Sequence, residues 1–238
     1  MSKFEAFSAE AAKFFRSLRK NNTREWFQPR KEIYETAVRA PMEDLVAEIN
    51  IGLGRFAPLY IAEPKKAVFR IYRDTRFSNN KTPYKTNIAA YFPRGGMGKL
   101  SGAGYYLGVS DEGVEIAGGL YTPGPPQLLA IRTQIAAEPK GFGKIVKHKK
   151  LVEYLGPLAG SSLMRVPKGF DSTHPAADWI RMKQWMFYKT FPGELMTSKD
   201  LAKTVIQSFQ LVTPLVEFLN EPLVKAAKKA ATAERMLD

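Results

Sequence analysis

The stretch 69–87 holds Arg70, Arg73, Arg76, Lys81 and Lys85, a single carboxylate, Asp74, and the rings of Phe69, Tyr72, Phe77 and Tyr84. Like charges at this density repel one another unless anions offset them, and Asp74 is the one carboxylate nearby in sequence. Guanidinium forks bind phosphate or carboxylate through paired N–H donors, and amides presented by a turn add more. The chemistry this points to is capture of a phosphorylated or carboxylated small molecule by Arg70, Arg73, Arg76, Lys81 and Lys85, with Tyr84 giving a hydrogen bond. Asp74 is the acid–base candidate of the segment, although a lone carboxylate can equally serve to orient an arginine. No particular reaction is readable from these residues, so enzyme and binding protein both stay open.

The first half of the segment alternates like a strand. In that geometry Arg70, Tyr72 and Asp74 share one face, while Phe69, Ile71 and Arg73 share the other. Arg73 then sits on the apolar side or at the strand's end, where a guanidinium needs a partner. The segment therefore reads as both structural clamp and binding surface, with the turn cations Arg76, Lys81 and Lys85 as the nearer ligand contacts. In the competing structural reading, the cluster is satisfied internally.

Three sets of elements must position this segment. Ser8 caps a helix over 8–20, Asn21 ends it in a left-handed conformation, and an apolar stripe from Ile33 through Ile49 continues the helical region until Gly52 and Gly54 close it. Pro41 predicts a kink or a new first turn. From Ala67 the period changes from about four to two, predicting strands over 67–73, 87–92, 104–110 and 113–121. Their short links favour an antiparallel meander, with Asp111-Glu112-Gly113 as a hairpin turn whose glycine takes a positive φ. The loop 93–102 is glycine-rich and reads as a mobile cover over the basic segment. Helices follow Pro125 and Pro139, then a short strand over 162–166, a helix over 175–183, a strand over 185–191, and a long helix opened by a capping box at Thr197-Ser198-Lys199-Asp200. Pro214 is expected to kink that helix, and the Ala/Lys-rich tail follows Asn220. The expected architecture is one α+β domain over 1–238: N-terminal helices over 1–54, an antiparallel sheet over 67–121, and a mainly helical C-terminal region over 122–238 covering it.

Composition sets the bounds. Lys and Arg outnumber Asp and Glu 36 to 23, a net charge of +13, so nucleic acid is an alternative, non-specific partner. The basic run Lys144 to Lys150 would supply phosphate contacts, but it lacks the signature of a zinc finger, basic zipper or RNA-recognition fold and is most simply a solvated helix face. Cysteine is absent, which rules out disulfides, thiolate metal sites and a cysteine nucleophile. His148 and His174 are the two histidines, too few and too far apart in sequence to suggest a metal site, and His174 reads as a helix cap. Gly98-Lys99 imitates a phosphate-binding loop but fails it, since Leu100 stands where a hydroxyl residue is needed and Pro93 where a glycine is. No cofactor is expected. With neither a signal-like leader nor a membrane-length apolar run, the expected setting is the cytoplasm, and oligomeric state is not legible.

Arg70-Ile71-Tyr72-Arg73-Asp74-Thr75-Arg76-Phe77-Ser78, with Lys81-Thr82-Pro83-Tyr84-Lys85-Thr86, resembles the uncharacterised family called domain of unknown function 2461. The resemblance extends to Asn21-Asn22-Thr23-Arg24-Glu25-Trp26-Phe27, Gly102-Ala103-Gly104-Tyr105-Tyr106-Leu107, Gly118-Gly119-Leu120-Tyr121, and Pro167-Lys168-Gly169-Phe170 with His174-Pro175. It implies a shared fold and no established reaction. That family's pattern commonly has lysine and aspartate after Ser78 and histidine at the place of Asn87. This chain instead has Asn79, Asn80 and Asn87, which carry no ionisable group.

Overall fold

The computed structural model describes residues 4–98 and 101–234, with side chains as far as residue 227; Lys99 and Leu100 of the glycine-rich loop and the end of the C-terminal tail lie outside the described residues. The fold is α+β, with N-terminal helices, a four-stranded antiparallel sheet and C-terminal helices.

Ser8 opens helix α1 (Ala9–Lys20), its Oγ accepting from the Ala11 N–H at 3.3 Å, and Phe14, Phe15 and Leu18 form the buried stripe. Asn21 ends the helix without the expected left-handed turn: its φ is −133°. Its amide side chain does the work, donating to the Ser17 carbonyl at 2.9 Å, while its N–H reaches Leu18 and Ser17. Thr23 caps the next turn, Arg24–Phe27, by accepting from the Trp26 N–H.

The stripe from Ile33 runs through a π-helical stretch, Tyr34–Arg39, into helix α2 (Ala40–Phe56). A regular helix would have paired the Pro41 nitrogen with the Ala37 carbonyl, and proline has no hydrogen to give. The wide turn just before it, in which the Ala40 N–H bonds the Glu35 carbonyl, accommodates this without ending the helix. Gly52 does not close the helix as expected. It sits within α2 because a Cβ there would stand 2.8 Å from Ile206.

The strands are β1 (Ile88–Pro93), β2 (Gly104–Val109), β3 (Gly113–Leu120) and β4 (Trp185–Pro192), in sheet order β1-β2-β3-β4. The strand expected over 67–73 does not form. Instead the chain touches β1 at the single bridge Val68–Ala90, then changes partner and bridges its own return limb at Tyr72–Tyr84. The Phe69 N–H goes to Ala89 at 2.8 Å, whereas Ile71 accepts from Lys85 at 2.8 Å, so no continuous ladder can build. The alternation persists without the strand: Ile71 is buried, and Arg70, Tyr72 and Asp74 are exposed.

The β2–β3 hairpin forms where expected, but Gly113 is not at positive φ. Ser110 organises the turn, its Oγ accepting from the Glu112 and Gly113 N–H groups. Glycine is needed at 113 for space, since a Cβ would come within 2.7 Å of Thr190 Cγ2.

Helices α3 (Pro125–Ala137) and α4 (Pro139–Val146) follow, with Lys144, Lys147 and Lys149 exposed as a solvated face implies. The strand expected over 162–166 is a single bridge, Ser162–Met182, and the helix over 175–183 shrinks to Ala177–Ile180. The His174 Nδ1 accepts from the Ala176 N–H just before it. Thr197 is not a cap, because it closes a 3-10 turn, Gly193–Thr197, and Ser198 takes the Asp200 N–H instead. Helix α5 (Leu201–Glu234) continues through Pro214 and Pro222.

The chain groups into two compact units. The first comprises Met1–Phe92, Tyr106–Ile116 and Lys189–Gln207. Its core contains a connected set of rings: Phe14 meets Phe27, Tyr34 and Trp26, and Phe27 stacks on Tyr84 with centroids 4.1 Å apart. The second comprises Pro93–Tyr105, Ala117–Tyr188 and Ser208–Asp238. There Phe142 packs against Trp179 and Phe218, Tyr105 stacks on Phe209, and Asn220 clamps both backbone groups of Ala103.

Candidate functional site

The first unit contains a cavity of about 580 Å³, within the range of small-molecule sites. One wall is the return limb of the basic segment, with Asn80, Thr82, Tyr84, Lys85, Thr86 and Asn87; Arg73 joins it from the outgoing limb. A second part of the lining is the β2–β3 hairpin, with Gly108, Ser110, Glu112, Gly113 and Glu115. Arg19 and Asn22, at the end of α1, and Thr190 of β4 complete the lining.

Position is fixed from the core outward. Tyr84 is 1% exposed, and its ring is held on Phe27 and against Tyr72. Asn22 then holds the Tyr84 backbone from both sides: Oδ1 accepts its N–H and Nδ2 donates to its carbonyl, each at 3.0 Å. A side-chain amide here imitates a neighbouring strand and sets the height at which Lys85, Thr86 and Asn87 follow. On the hairpin side, Arg19 Nη2 donates to Asp111 at 2.8 Å and Glu112 at 3.0 Å. The Asp111 side chain is 7% exposed, so this pair ties the hairpin to α1. Arg19 Nε is buried and has no acceptor among the described residues. Gly108 keeps the floor open, because a Cβ there would stand 2.8 Å from Tyr106 Oη and 3.3 Å from Asn87 Nδ2. Burial, and then the Glu115 charge, raise the Tyr106 hydroxyl above its usual range, with the Asn87 hydrogen bond pulling the other way.

The cations of the sequence motif divide here. Arg73 lines the cavity, hydrogen-bonded through Nη1 to the Thr82 hydroxyl, and Lys85 lines it with its ammonium 5.2 Å from the Phe69 ring centroid. Tyr84 lines it too, through the residue Asn22 clamps. Arg70, Arg76 and Lys81 do not line it and are exposed. Arg76 chelates Asp74 through Nε at 3.0 Å and Nη2 at 2.8 Å, and Lys81 Nζ donates to the Thr75 carbonyl at 2.9 Å. The Arg76 side chain, and then its backbone N–H, hold the Asp74 carboxyl down at about 2. A carboxylate so strongly stabilised in its charged form is a poor proton acceptor near neutral pH.

Sequence reasoning did not single out Arg19, Asn22, Thr82, Thr86, Ser110, Glu112, Glu115 or Thr190. Thr82 and Thr86 lie within the basic segment itself, whereas the others come from separate stretches that only the fold brings to it. Asn80 and Asn87, two of the places where the chain departs from the pattern it resembles, both line the cavity. No group of three or more His, Asp or Glu among the described residues is placed to hold a metal ion.

The family model described as Conserved hypothetical protein (DUF2461) matches residues 10–218. The chain belongs to this family. The match takes in every residue of the cavity lining. No match to the chain was found among curated proteins or among solved structures. Among the described residues no helix is long and apolar enough to cross a membrane.

Proposed function

We propose that this protein binds a small phosphorylated or carboxylated molecule in the cavity of its first unit, in a reducing compartment such as the cytoplasm. The observation that carries this reading is the state of Arg73: it lines a cavity of ligand size, yet meets a neutral hydroxyl and makes no ion pair among the described residues. A half-buried guanidinium facing a hydroxyl keeps donors free for an anion, and the charge-assisted bonds it would form are the strong class. Lys85 adds a second cation, and Thr86 and Asn87 supply donors for the rest of the ligand, the Thr82 hydroxyl being already donated to Asn80 Oδ1. Arg70, Arg76 and Lys81, exposed on the same segment, add a positive field that draws anions toward it.

The test is a thermal-shift screen of phosphorylated metabolites, carboxylates and nucleotides at low and high salt, on wild type and Arg73→Ala. A ligand of the site raises the wild-type melting temperature and loses that effect in the variant. Absence of any shift, or equal shifts in both proteins, removes the reading.

A second reading has its own observation. Phe77 is 94% exposed in the basic turn, with the Arg76 guanidinium 5.7 Å from its ring centroid. An exposed ring among cations suits stacking on a single-stranded nucleic acid. Short oligonucleotides in the same screen separate the two, because their binding would weaken steeply with salt and depend on Phe77 rather than Arg73.

A further inference from the structure

Arg73 has a counterpart of opposite charge in the lining of the same cavity. Glu115 projects from β3 between the buried Val114 and Ile116, is exposed, and makes neither an ion pair nor a hydrogen bond among the described residues. Its neighbour on the hairpin, Glu112, is instead committed to Arg19 at 3.0 Å. The two open charges do not satisfy one another, since Arg73 and Glu115 form no ion pair. One cavity therefore presents an unneutralised cation on the wall formed by the basic segment and an unneutralised anion on the hairpin wall. An anion alone would answer the first charge and be repelled by the second. A molecule carrying an anionic group at one end and an ammonium at the other answers both. The interior between the walls is polar, with the hydroxyls of Thr82, Thr86 and Ser110 and the amide of Asn87.

Building on the anion-binding reading, we infer that the cavity selects a dipolar ligand, an amine-bearing phosphate or carboxylate, whose anion meets Arg73 and Lys85 and whose ammonium meets Glu115. Glu115 is then the specificity residue of the site, while Arg73 supplies affinity for the anion.

Matched pairs that differ only in the amine test this by calorimetric titration: ethyl phosphate against O-phosphoethanolamine, glucose 6-phosphate against glucosamine 6-phosphate, and glutarate against glutamate. In at least one pair, the amine-bearing member is expected to bind wild type about tenfold more tightly than its partner. Glu115→Gln, at an exposed position that should leave the melting temperature unchanged, removes that preference by weakening the amine-bearing member, while the plain anion, relieved of a like charge, binds as tightly as before or more tightly. Arg73→Ala weakens both members. If both members bind equally well and Glu115→Gln changes neither, the dipolar inference is overturned and the anion pocket stands. If no member of any pair binds, the anion reading and this inference fall together. If Glu115→Gln weakens both members equally, Glu115 supports the cavity's shape rather than its selectivity, and the inference is again overturned.

Discussion

Arg73 and Arg76 stand on the same basic segment and answer their charge in different ways. Arg76 closes on Asp74 in its own turn, through Nε and Nη2, and both side chains are largely in solvent, 77% and 48% exposed. Among the described residues the Arg73 side chain meets the Thr82 hydroxyl, and it lines a cavity. The same contrast runs through the surroundings. The turn 74–81 is held by local bonds, Lys81 to Thr75 and Thr82 to Asn80, whereas the limb that follows is anchored in the core by Tyr84 and in α1 by Asn22. Local charge density alone thus does not mark which cations line the cavity. What distinguishes the cavity is charge that the fold has brought together and left unneutralised.

The largest effect should come from the anchor. Tyr84→Ala removes a ring stacked on Phe27 and is expected to cost about 3–5 kcal/mol in chemical denaturation, with loss of ligand-induced stabilisation. If the loss is under about 1 kcal/mol, the limb is not core-anchored and the contrast with the turn fails. Asn22→Ala should cost about 1–3 kcal/mol, because both the N–H and the carbonyl of Tyr84 lose their partner. Asn22→Asp should recover only the half of the clamp that accepts.

The two regions also titrate at opposite ends of the pH scale. Burial pushes the Tyr34 hydroxyl, which packs on Phe27 beneath Tyr84, up to about 12 from 10.0. A raised pKa means the native state holds its proton longer than the unfolded chain does. Its contribution is therefore full below pH 10 and is lost as pH rises through about 12. Denaturation midpoints should fall across that window and fall less in Tyr34→Phe. Asp74 has the opposite sign: its lowered pKa keeps the Arg76 pair intact above its ordinary value of 3.8, and the pair is lost as pH falls through about 2. An NMR titration of the Asp74 side chain should show that shifted midpoint, and Arg76→Ala should return it toward normal. The smallest effect belongs to the turn itself, where Arg76→Ala or Lys81→Ala should leave the melting temperature unchanged within error, as exposed pairs usually do.

The sequence carried the fold class well because its periods are strong. The period-two runs from Asn87 onward become β1, β2 and β3, and the stripe from Ile33 becomes α2 with the turn before it. It overstated 67–73 as a strand, because alternation reports which side chains are buried and not which backbone partner is available. The segment changes partner between Ala90 and Tyr84, which periodicity does not encode. Gly113 was legible as a turn glycine for the wrong physical reason, since the crowding comes from Thr190, far away in sequence. The candidate site was half legible. Arg73, Tyr84 and Lys85 stand out by local density, but the hairpin wall does not. Glu115 looks in sequence like any solvent-facing strand residue, and only tertiary structure shows that it shares a cavity with Arg73.

The claim that unneutralised charge, and not charge density, defines the site is tested most directly by titrating one screening hit into Arg73→Ala and Arg76→Ala side by side. The account predicts that Arg73→Ala weakens binding by about tenfold or more at an unchanged melting temperature, while Arg76→Ala stays within about twofold of wild type. Equal losses in the two variants, or a greater loss in Arg76→Ala, would contradict it.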